Sequence, residues 1–541
     1  MNLLTILLVV GYLMVVGYVG YRGYRGTRSV TDYMLAGRSV HPFIMALSYG
    51  ATFISTSAIV GFGGAAAMFG MGLFWLVFLN ILLGIFVCFV FFGARTRAIG
   101  HHLDAHTFPE FLGRRFDSRF LQVAAGFVIV LFMPLYTAVV SMGAARVIEV
   151  TFSMPYEAAL FSFSAIVAVY VVMGGLKGVM YADAVQGAIM FVGMCLLLVL
   201  TYAKLGGVVS AHQTLTDMAP LAEEVFGPVG HRGWTAMPAF GSKFWWVMVS
   251  SIIMGVGIGV LAQPQLAVRY LTVKGTRELN RATLVGGLFI LMLPGVAYTV
   301  GSLSNVFFYN DPEIGKIAFL AADKDIGRII PMFIERYMPW WLGAFIVVTL
   351  LAAAMSTVSS QFHAMGTAVS RDIFECMAGR REHGSLLAAR CGIVLTFLFS
   401  VTLAYVLPVY FKGTGTAIIA RGTALFFGLC CSTFLPMYMG ALYTRRITRA
   451  GAIGGGLAGF AASAVWLLFI HQKESEALQV CRLLFGKPSL AEGMRSGFIL
   501  WPEVDPLFVA LPVALIVTVA VSSVTRPFSK AHLDHCFARV R

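Results

Sequence analysis

The chain has 541 residues, of which 59% are hydrophobic and only 12% charged. A soluble domain carries roughly 45–50% apolar and about 25% charged residues, so the composition excludes a water-soluble, a disordered and a fibrous protein. The formal net charge is +14, from 39 Lys+Arg against 25 Asp+Glu; in so apolar a chain this reads as basic cytoplasmic loops rather than a nucleic-acid surface.

A transmembrane helix needs about 20 mostly apolar residues. Thirteen such spans are predicted, at 3–21, 43–70, 72–94, 120–145, 156–174, 181–203, 244–263, 283–305, 339–370, 388–410, 417–442, 451–470 and 507–524. The first starts without a basic region and lacks a small-residue cleavage site, so it reads as a span and not a signal peptide. An odd number of spans puts the termini on opposite sides. One alternate set of connections holds most of the Lys and Arg. It comprises Arg22, Arg25, Arg28 and Arg38; Arg95, Arg97, Arg114, Arg115 and Arg119; Lys177; Arg269, Lys274, Arg277 and Arg281. It continues with Arg371, Arg380, Arg381 and Arg390; Arg445, Arg446 and Arg449; and Arg526, Lys530, Arg539 and Arg541. That side is cytoplasmic, which puts the amino terminus outside and the carboxyl terminus inside. Trp75, Trp245, Trp246, Trp340, Trp341 and Trp501 near span ends fit an interfacial belt. Outside loops at 204–243, 306–338 and 471–506 have room for short helices but not for domains, and the short tail after 524 carries no signalling domain. No Asn-x-Ser/Thr acceptor occurs, which favours a prokaryotic plasma membrane. Cys88, Cys195, Cys391, Cys430 and Cys431 fall in spans, Cys376 and Cys536 on the cytoplasmic side, and only Cys481 outside, so no disulfide framework is expected.

In hydrocarbon, irregular backbone survives only where it lines a cavity, and there it frees carbonyls for ions. The second span reads ALSYGATFISTSAIVGFGGAAAMFG and sets Gly50, Thr52, Ser55, Thr56 and Ser57 mid-membrane. The seventh reads IIMGVGIGVLAQPQLAVR, with Gly255, Gly257 and Gly259 ahead of Gln263-Pro264-Gln265; proline removes a donor and clashes with the preceding turn. The two interrupted spans are five apart, which suggests an inverted repeat of spans 2–6 and 7–11. The implied layout is a first helix and loop at 1–41, a first core repeat at 42–205, an outside loop at 206–242, a second core repeat at 243–442, and two additional helices with the tail at 443–541.

The ninth span, LAAAMSTVSSQFHAMGTAVSRD, carries Ser356, Thr357, Ser359 and Ser360 within five residues. With Ala353 they fall within an arc of roughly 160° on one helix face. Uncharged hydroxyl and carbonyl oxygens suit a small hard cation; bonding back to their own helix, or helix packing, is the competing use. Asp183, in GGLKGVMYADAVQG, opens the sixth span, and a carboxylate in a span is functional by default unless it caps the helix.

These pieces together resemble the sodium:solute symporter family over about residues 30–455. They are DYMLAGRSVHPFIMALSYGAT at 32–52, MGAARVIEVTFSMPYEAAL at 142–160, GGLKGVMYADAVQG at 174–187, AQPQLAVRY at 262–270, LAAAMSTVSSQ at 351–361 and TRRITRAGAIGG at 444–455. The resemblance implies an all-α membrane protein with the five-plus-five inverted-repeat transporter fold, one helix before the repeats and two after. It implies a first sodium site from backbone oxygens of Ala51, Ile54 and Ala353 with the hydroxyls of Ser356 and Thr357. Asp183, Ser356, Ser359 and Ser360 match a second sodium site found in some members, which would make two ions per cycle.

The substrate signals depart from the better-known branches. Proline-transporting members carry an aspartate where this chain has Phe53, and aromatic residues where it has Val256 and Val260. The amides and glutamate of sugar transporters are missing; the matching stretch offers Thr52, Ser55, Thr56 and Ser57, with Asn80 further on. ATFISTSAIVGFGG and PQLAVR are most similar to the pantothenate and short-monocarboxylate branch. The expected substrate contacts are Thr52, Ser55, Thr56, Gln263 and Gln265, while Arg421 snorkels to water at a membrane end. The function expected is Na+-coupled import of a small monocarboxylate or pantothenate-like anion by alternating access, with proline-type amino acid or sugar symport as the alternative. Each Na+ entering down 100 mV contributes about 2.3 kcal/mol, and a tenfold accumulation costs about 1.4 kcal/mol.

A transporter-like sensor is the rival from a different class, and a channel is disfavoured by the single-chain repeat. An enzyme is excluded by the lack of a phosphate-binding loop, an HExxH or a nucleophile–base pair. His101, His102, Asp104 and His106, and likewise His532, His535 and Cys536, read as solvated loop and tail. No cofactor is implied. The expected partners are the solute, Na+ and the lipid bilayer, with no nucleic acid and no obligatory protein partner.

Overall fold

The computed structural model describes residues 3–379, 385–410 and 417–540. Arg380, Arg381 and Arg541, and the side chain of Arg421, lie outside the described residues. Among them, eleven helices are long and apolar enough to cross a membrane. Together with the shorter apolar helix Pro42–Phe53 they account for the thirteen predicted spans, two pairs of which run together in single helices. Tyr156–Lys204 is one helical run holding the fifth and sixth spans, and it breaks at Gly175, whose φ is +56°. A Cβ there would lie 2.7 Å from the Tyr33 carbonyl oxygen, so both the left-handed backbone and the close approach require glycine. The second span is split into Pro42–Phe53 and a helical stretch that resumes at Ser57. That stretch continues into the third span, giving the run Ser57–His102.

The spans pack in two groups. Thr276–Asn310, the eighth span, lies against both halves of the second and against the third. Trp340–Thr367, the ninth, lies against Tyr156–Lys204, Arg119–Phe152 and Leu386–Tyr410. The best-protected windows are in Leu425–Tyr443 at 89% buried and Trp340–Glu375 at 83%. The first helix and the last two are 28%, 22% and 22% buried, so they form the lipid-facing periphery. Arg449–Val465 and Leu507–Val524 pair closely through glycines and small residues.

The three long loops at 204–243, 306–338 and 471–506 hold short helices, as their lengths predict: Val208–Asp217 and Ala219–Phe226, then Ile326–Tyr337, then Gln472–Leu478 and Val480–Phe485. The first of these loops docks on the later half of the second span. Trp234 Nε1 donates to the Ala67 carbonyl at 2.7 Å, and His231 Nε2 bonds the Met68 carbonyl at 3.0 Å while Nδ1 accepts from the Gly233 amide. Burial among Phe226, Trp234 and Phe244 lowers the His231 pKa to about 4, although the Met68 carbonyl favours its charged form. The unfolded chain takes up the proton near pH 6.5. Stability is therefore expected to fall as pH drops from 6.5 towards 4, because only the unfolded state binds the proton in that window. Thermal unfolding across this range checks it, with a flatter profile in His231→Gln.

Two expectations about loops are corrected. Arg269, counted with the cytoplasmic loop after the seventh span, is fully buried in the core, and Arg115 and Arg371 of the same set are buried too. The 101–106 segment is not a solvated loop. Asp104 pairs with Arg38 at 2.9 Å, His106 is buried beside Glu110, and the His102 ring lies tilted 4.8 Å from that of His535 in the tail helix Lys530–Phe537. That tail is not solvated either: Cys536 is buried and His532 Nε2 bonds the Arg115 carbonyl at 3.0 Å.

Candidate functional site

The second span breaks because Ile54 is extended (φ −96°, ψ 99°). The last four carbonyls of a helix have no partner in their own ladder, and in Pro42–Phe53 these include Ala51 and Thr52. The ninth span turns its hydroxyl face onto them. Ser356 Oγ donates to the Ala51 carbonyl at 2.8 Å and lies 3.2 Å from the Ala353 carbonyl oxygen. Thr357 Oγ1 donates to the Thr52 carbonyl at 3.0 Å and lies 3.5 Å from that of Ala51. Ala51, Ala353, Ser356 and Thr357 thus meet in one cluster of uncharged oxygens, all buried. Ile54 supplies the break that frees these carbonyls, and no hydrogen bond ties its own oxygen into the cluster.

A second polar cluster adjoins it, with Thr52 Oγ1 3.4 Å from the Ser356 carbonyl oxygen. Asp183 is fully buried. Its Oδ2 accepts from Ser48 at 2.9 Å, Thr52 at 3.3 Å and Ser360 at 3.3 Å, and its Oδ1 from Ser359 at 3.3 Å. The predicted set Asp183, Ser359 and Ser360 is therefore assembled, while Ser356 turns to the Ala51 side. The sequence reading missed the group at the centre. Arg269 Nη2 donates to Asp183 Oδ2 at 2.9 Å, Thr52 Oγ1 at 2.6 Å and Ser360 Oγ at 2.5 Å. Its Nε donates to Ser48 Oγ and its Nη1 to the Gln265 carbonyl. The break at Gln263 directs this guanidinium inward: Pro264–Ala267 restarts the helix, and Arg269 follows just over one turn later. A fixed cation stands among the oxygens that the resemblance assigns to a second sodium ion.

A small enclosed cavity adjoins the break. It is lined by Phe53, Ser55, Ser57, Phe62, Asn80, Tyr136, Val256, Tyr298, Thr423 and Phe427 among others. Its polar pole is a hydroxyl chain, with Ser55 Oγ 2.5 Å from Ser57 Oγ and Ser57 Oγ 3.1 Å from Thr423 Oγ1. Asn80 Oδ1 is buried without a hydrogen-bond partner among the described residues. Aromatic rings form the remainder, and no ionisable acid or base lines it. Of the five expected substrate contacts, only Ser55 is here. Thr52 belongs to the Asp183–Arg269 cluster. Thr56 Oγ1 is buried away from the cavity. Gln263 donates to the Gly259 carbonyl, and Gln265 to Gln263 Oε1. Both amides stabilise the break instead of facing the cavity. Tyr136, Tyr298, and the pair Thr423 and Phe427 come from three different spans, so no local pattern announces them.

A model of the sodium:solute symporter family matches residues 33–459. The chain is 26% identical over 444 residues to the osmoregulated proline transporter OpuE of Bacillus subtilis (strain 168), covering 82% of this chain and 84% of that protein. It is 25% identical over 484 residues to a sodium/proline symporter of Staphylococcus aureus, covering 87% of each. In fold it is similar to a Na+-coupled sialic acid symporter solved in a substrate-bound outward-open state, with a TM-score of 0.74 at 18% identity over 97% of this chain and 98% of that one. With two broken spans five apart, the paired bundles and a family match over most of its length, this multi-pass membrane protein belongs to the sodium:solute symporter family.

Proposed function

We propose that the chain couples the entry of one Na+ to the import of a small organic solute, in the first place a proline-type amino acid. The observation that carries the ion is the meeting of the Ser356 and Thr357 hydroxyls with the freed carbonyls of Ala51 and Thr52. Neutral hard oxygens suit Na+, and they come from both packing groups. A cation bound among Ala51, Ile54, Ala353, Ser356 and Thr357 holds the ninth span against the second. Rocking one group away removes part of its ligand set, so ion and solute leave together. The basic asymmetry favours an amino terminus outside and inward transport.

Arg269 supports a single ion. The charge that a second Na+ would bring to Asp183 is already supplied by the guanidinium at 2.9 Å. The solute reading rests on the cavity and the relatives. An aromatic wall with a hydroxyl and amide pole suits a compact, partly apolar molecule, which enters only when the bundles move apart, because the closed cavity holds about 20 Å³. A zwitterion has no net charge and so needs no ionised partner there, and the curated relatives at 25–26% identity include proline transporters. The monocarboxylate or pantothenate reading is kept as the second. Phe53 stands where proline-transporting members carry an aspartate, so the amino group of proline has no carboxylate to meet in the cavity.

Charge movement separates the two. One Na+ with a zwitterion moves one net charge, so 100 mV, inside negative, contributes about 2.3 kcal/mol or about fifty-fold accumulation. One Na+ with a monoanion moves none. Proteoliposomes with an imposed Na+ gradient, with and without a potassium diffusion potential, are offered labelled proline, pyruvate, pantothenate and glucose. Voltage-driven proline uptake is expected. Voltage-insensitive uptake of an acid would establish the second reading, glucose uptake would sink both, and Na+ binding without any uptake would favour a sensor.

A further inference from the structure

The first helix, Leu3–Gly26, stands outside the two packing groups and leaves a furrow where it meets the fifth span. This groove has a volume of about 380 Å³ and opens to the lipid-facing side. It is lined by Leu13, Gly17, Gly20 and Tyr21 of the first helix and by Val169 and Met173 of the fifth span, among others. From Leu13 to Tyr21 it follows about 12 Å of helix. The volume falls within the roughly 300–1,000 Å³ of ligand pockets, and the lining is almost wholly hydrocarbon.

Beyond Tyr21 the first helix and the residues after it are strongly basic. The Arg25 guanidinium lies 5.9 Å from the centroid of the Tyr21 ring. Arg22, Arg25 and Arg28 are all exposed, and none is paired with a carboxylate among the described residues. Lys177 Nζ reaches the Gly26 carbonyl at 3.1 Å from the neighbouring helix. The nearest acid, Asp32, is occupied by the amides of Arg28 and Ser29 and the Ser29 hydroxyl. An apolar furrow about 12 Å long, enough for the first half of an acyl chain, next to unpaired arginines near a membrane interface, has the shape and charge of one class of molecule. We infer that the groove between the first and fifth spans binds one anionic phospholipid, its acyl chain along Gly17 and Gly20 and its headgroup phosphate on Arg22, Arg25 and Arg28.

A Cβ on Gly17 meets nothing within 4 Å, so Gly17→Leu fills the groove without disturbing the packing beneath it. The test is native mass spectrometry of the purified full chain titrated with dioleoylphosphatidylglycerol and, separately, with dioleoylphosphatidylcholine. One phosphatidylglycerol per chain is expected to be retained, at least tenfold more tightly than phosphatidylcholine. Both Gly17→Leu and the triple variant Arg22→Gln/Arg25→Gln/Arg28→Gln should weaken it at least tenfold with unfolding temperatures unchanged in lipid-free detergent. Equal retention of the two lipids, or no weakening in either variant, overturns the inference. So does displacement of the lipid by millimolar glycerol phosphate, which would mean a headgroup-only site, or a two-chain assembly in which a second copy covers the groove.

Discussion

Ser356→Ala should raise the Na+ concentration for half-maximal uptake on the order of 10–100-fold, with little change in folding. The hydroxyl is one of the few oxygens at the break, touching the Ala51 carbonyl at 2.8 Å and that of Ala353 at 3.2 Å. A hydrogen bond to a charged group is worth about 1.5–3 kcal/mol, and an oxygen lost from a bare cation costs at least as much. The methyl fits the same space, so the protein keeps its shape. Thr357→Ala should behave alike and Thr357→Ser should not, because Oγ1 is the contributing atom. The measurement is solute uptake against external Na+ at fixed voltage. An unchanged Na+ dependence in both alanine variants would remove the ion from this place.

Arg269→Gln should carry the larger structural penalty and reveal a second ion. Removing one partner of a buried pair leaves the other charge uncompensated and costs about 3–5 kcal/mol. Here Asp183 would keep Ser48, Thr52, Ser359 and Ser360 but lose its only cation. Those oxygens form a ready set of ligands for Na+. The variant should therefore unfold at lower temperature in choline chloride, regain stability in NaCl, and move two Na+ per solute where the parent moves one. Adding Asp183→Asn removes the stranded charge and should restore stability in both salts, a coupling that a double-mutant cycle reads directly. Equal unfolding of Arg269→Gln in the two salts would show that no ion takes the vacated position. The reversal potential of uptake in proteoliposomes supplies the stoichiometry independently.

Much of this site was legible in the residues. Four hydroxyls within five positions of the ninth span mark a polar face that hydrocarbon does not tolerate without a partner, and a second span interrupted by small and hydroxylated residues is the partner that can supply carbonyls. Asp183 was legible as a carboxylate inside a span. Arg269 was not, because it falls past the predicted end of the seventh span, where an arginine ordinarily turns to water. Only the restart of the helix at Pro264 aims it inward. Gln263 and Gln265 misled for the same reason: they flank the break, but their amides are spent on the Gly259 carbonyl and on each other.

The sequence by itself determined the membrane class, the apolar spans, the two broken helices and the hydroxyl face that meets the freed carbonyls. Each follows from local chemistry: apolar run length, helix periodicity, and the cost of unsatisfied backbone in lipid. The tertiary structure alone decided which charge neutralises Asp183 and which side chains wall the cavity beside the break. Those contacts join residues far apart in the chain, such as Ser57 with Thr423 and Arg269 with Asp183. They are fixed by how two bundles of helices pack, and a one-dimensional pattern does not carry that information.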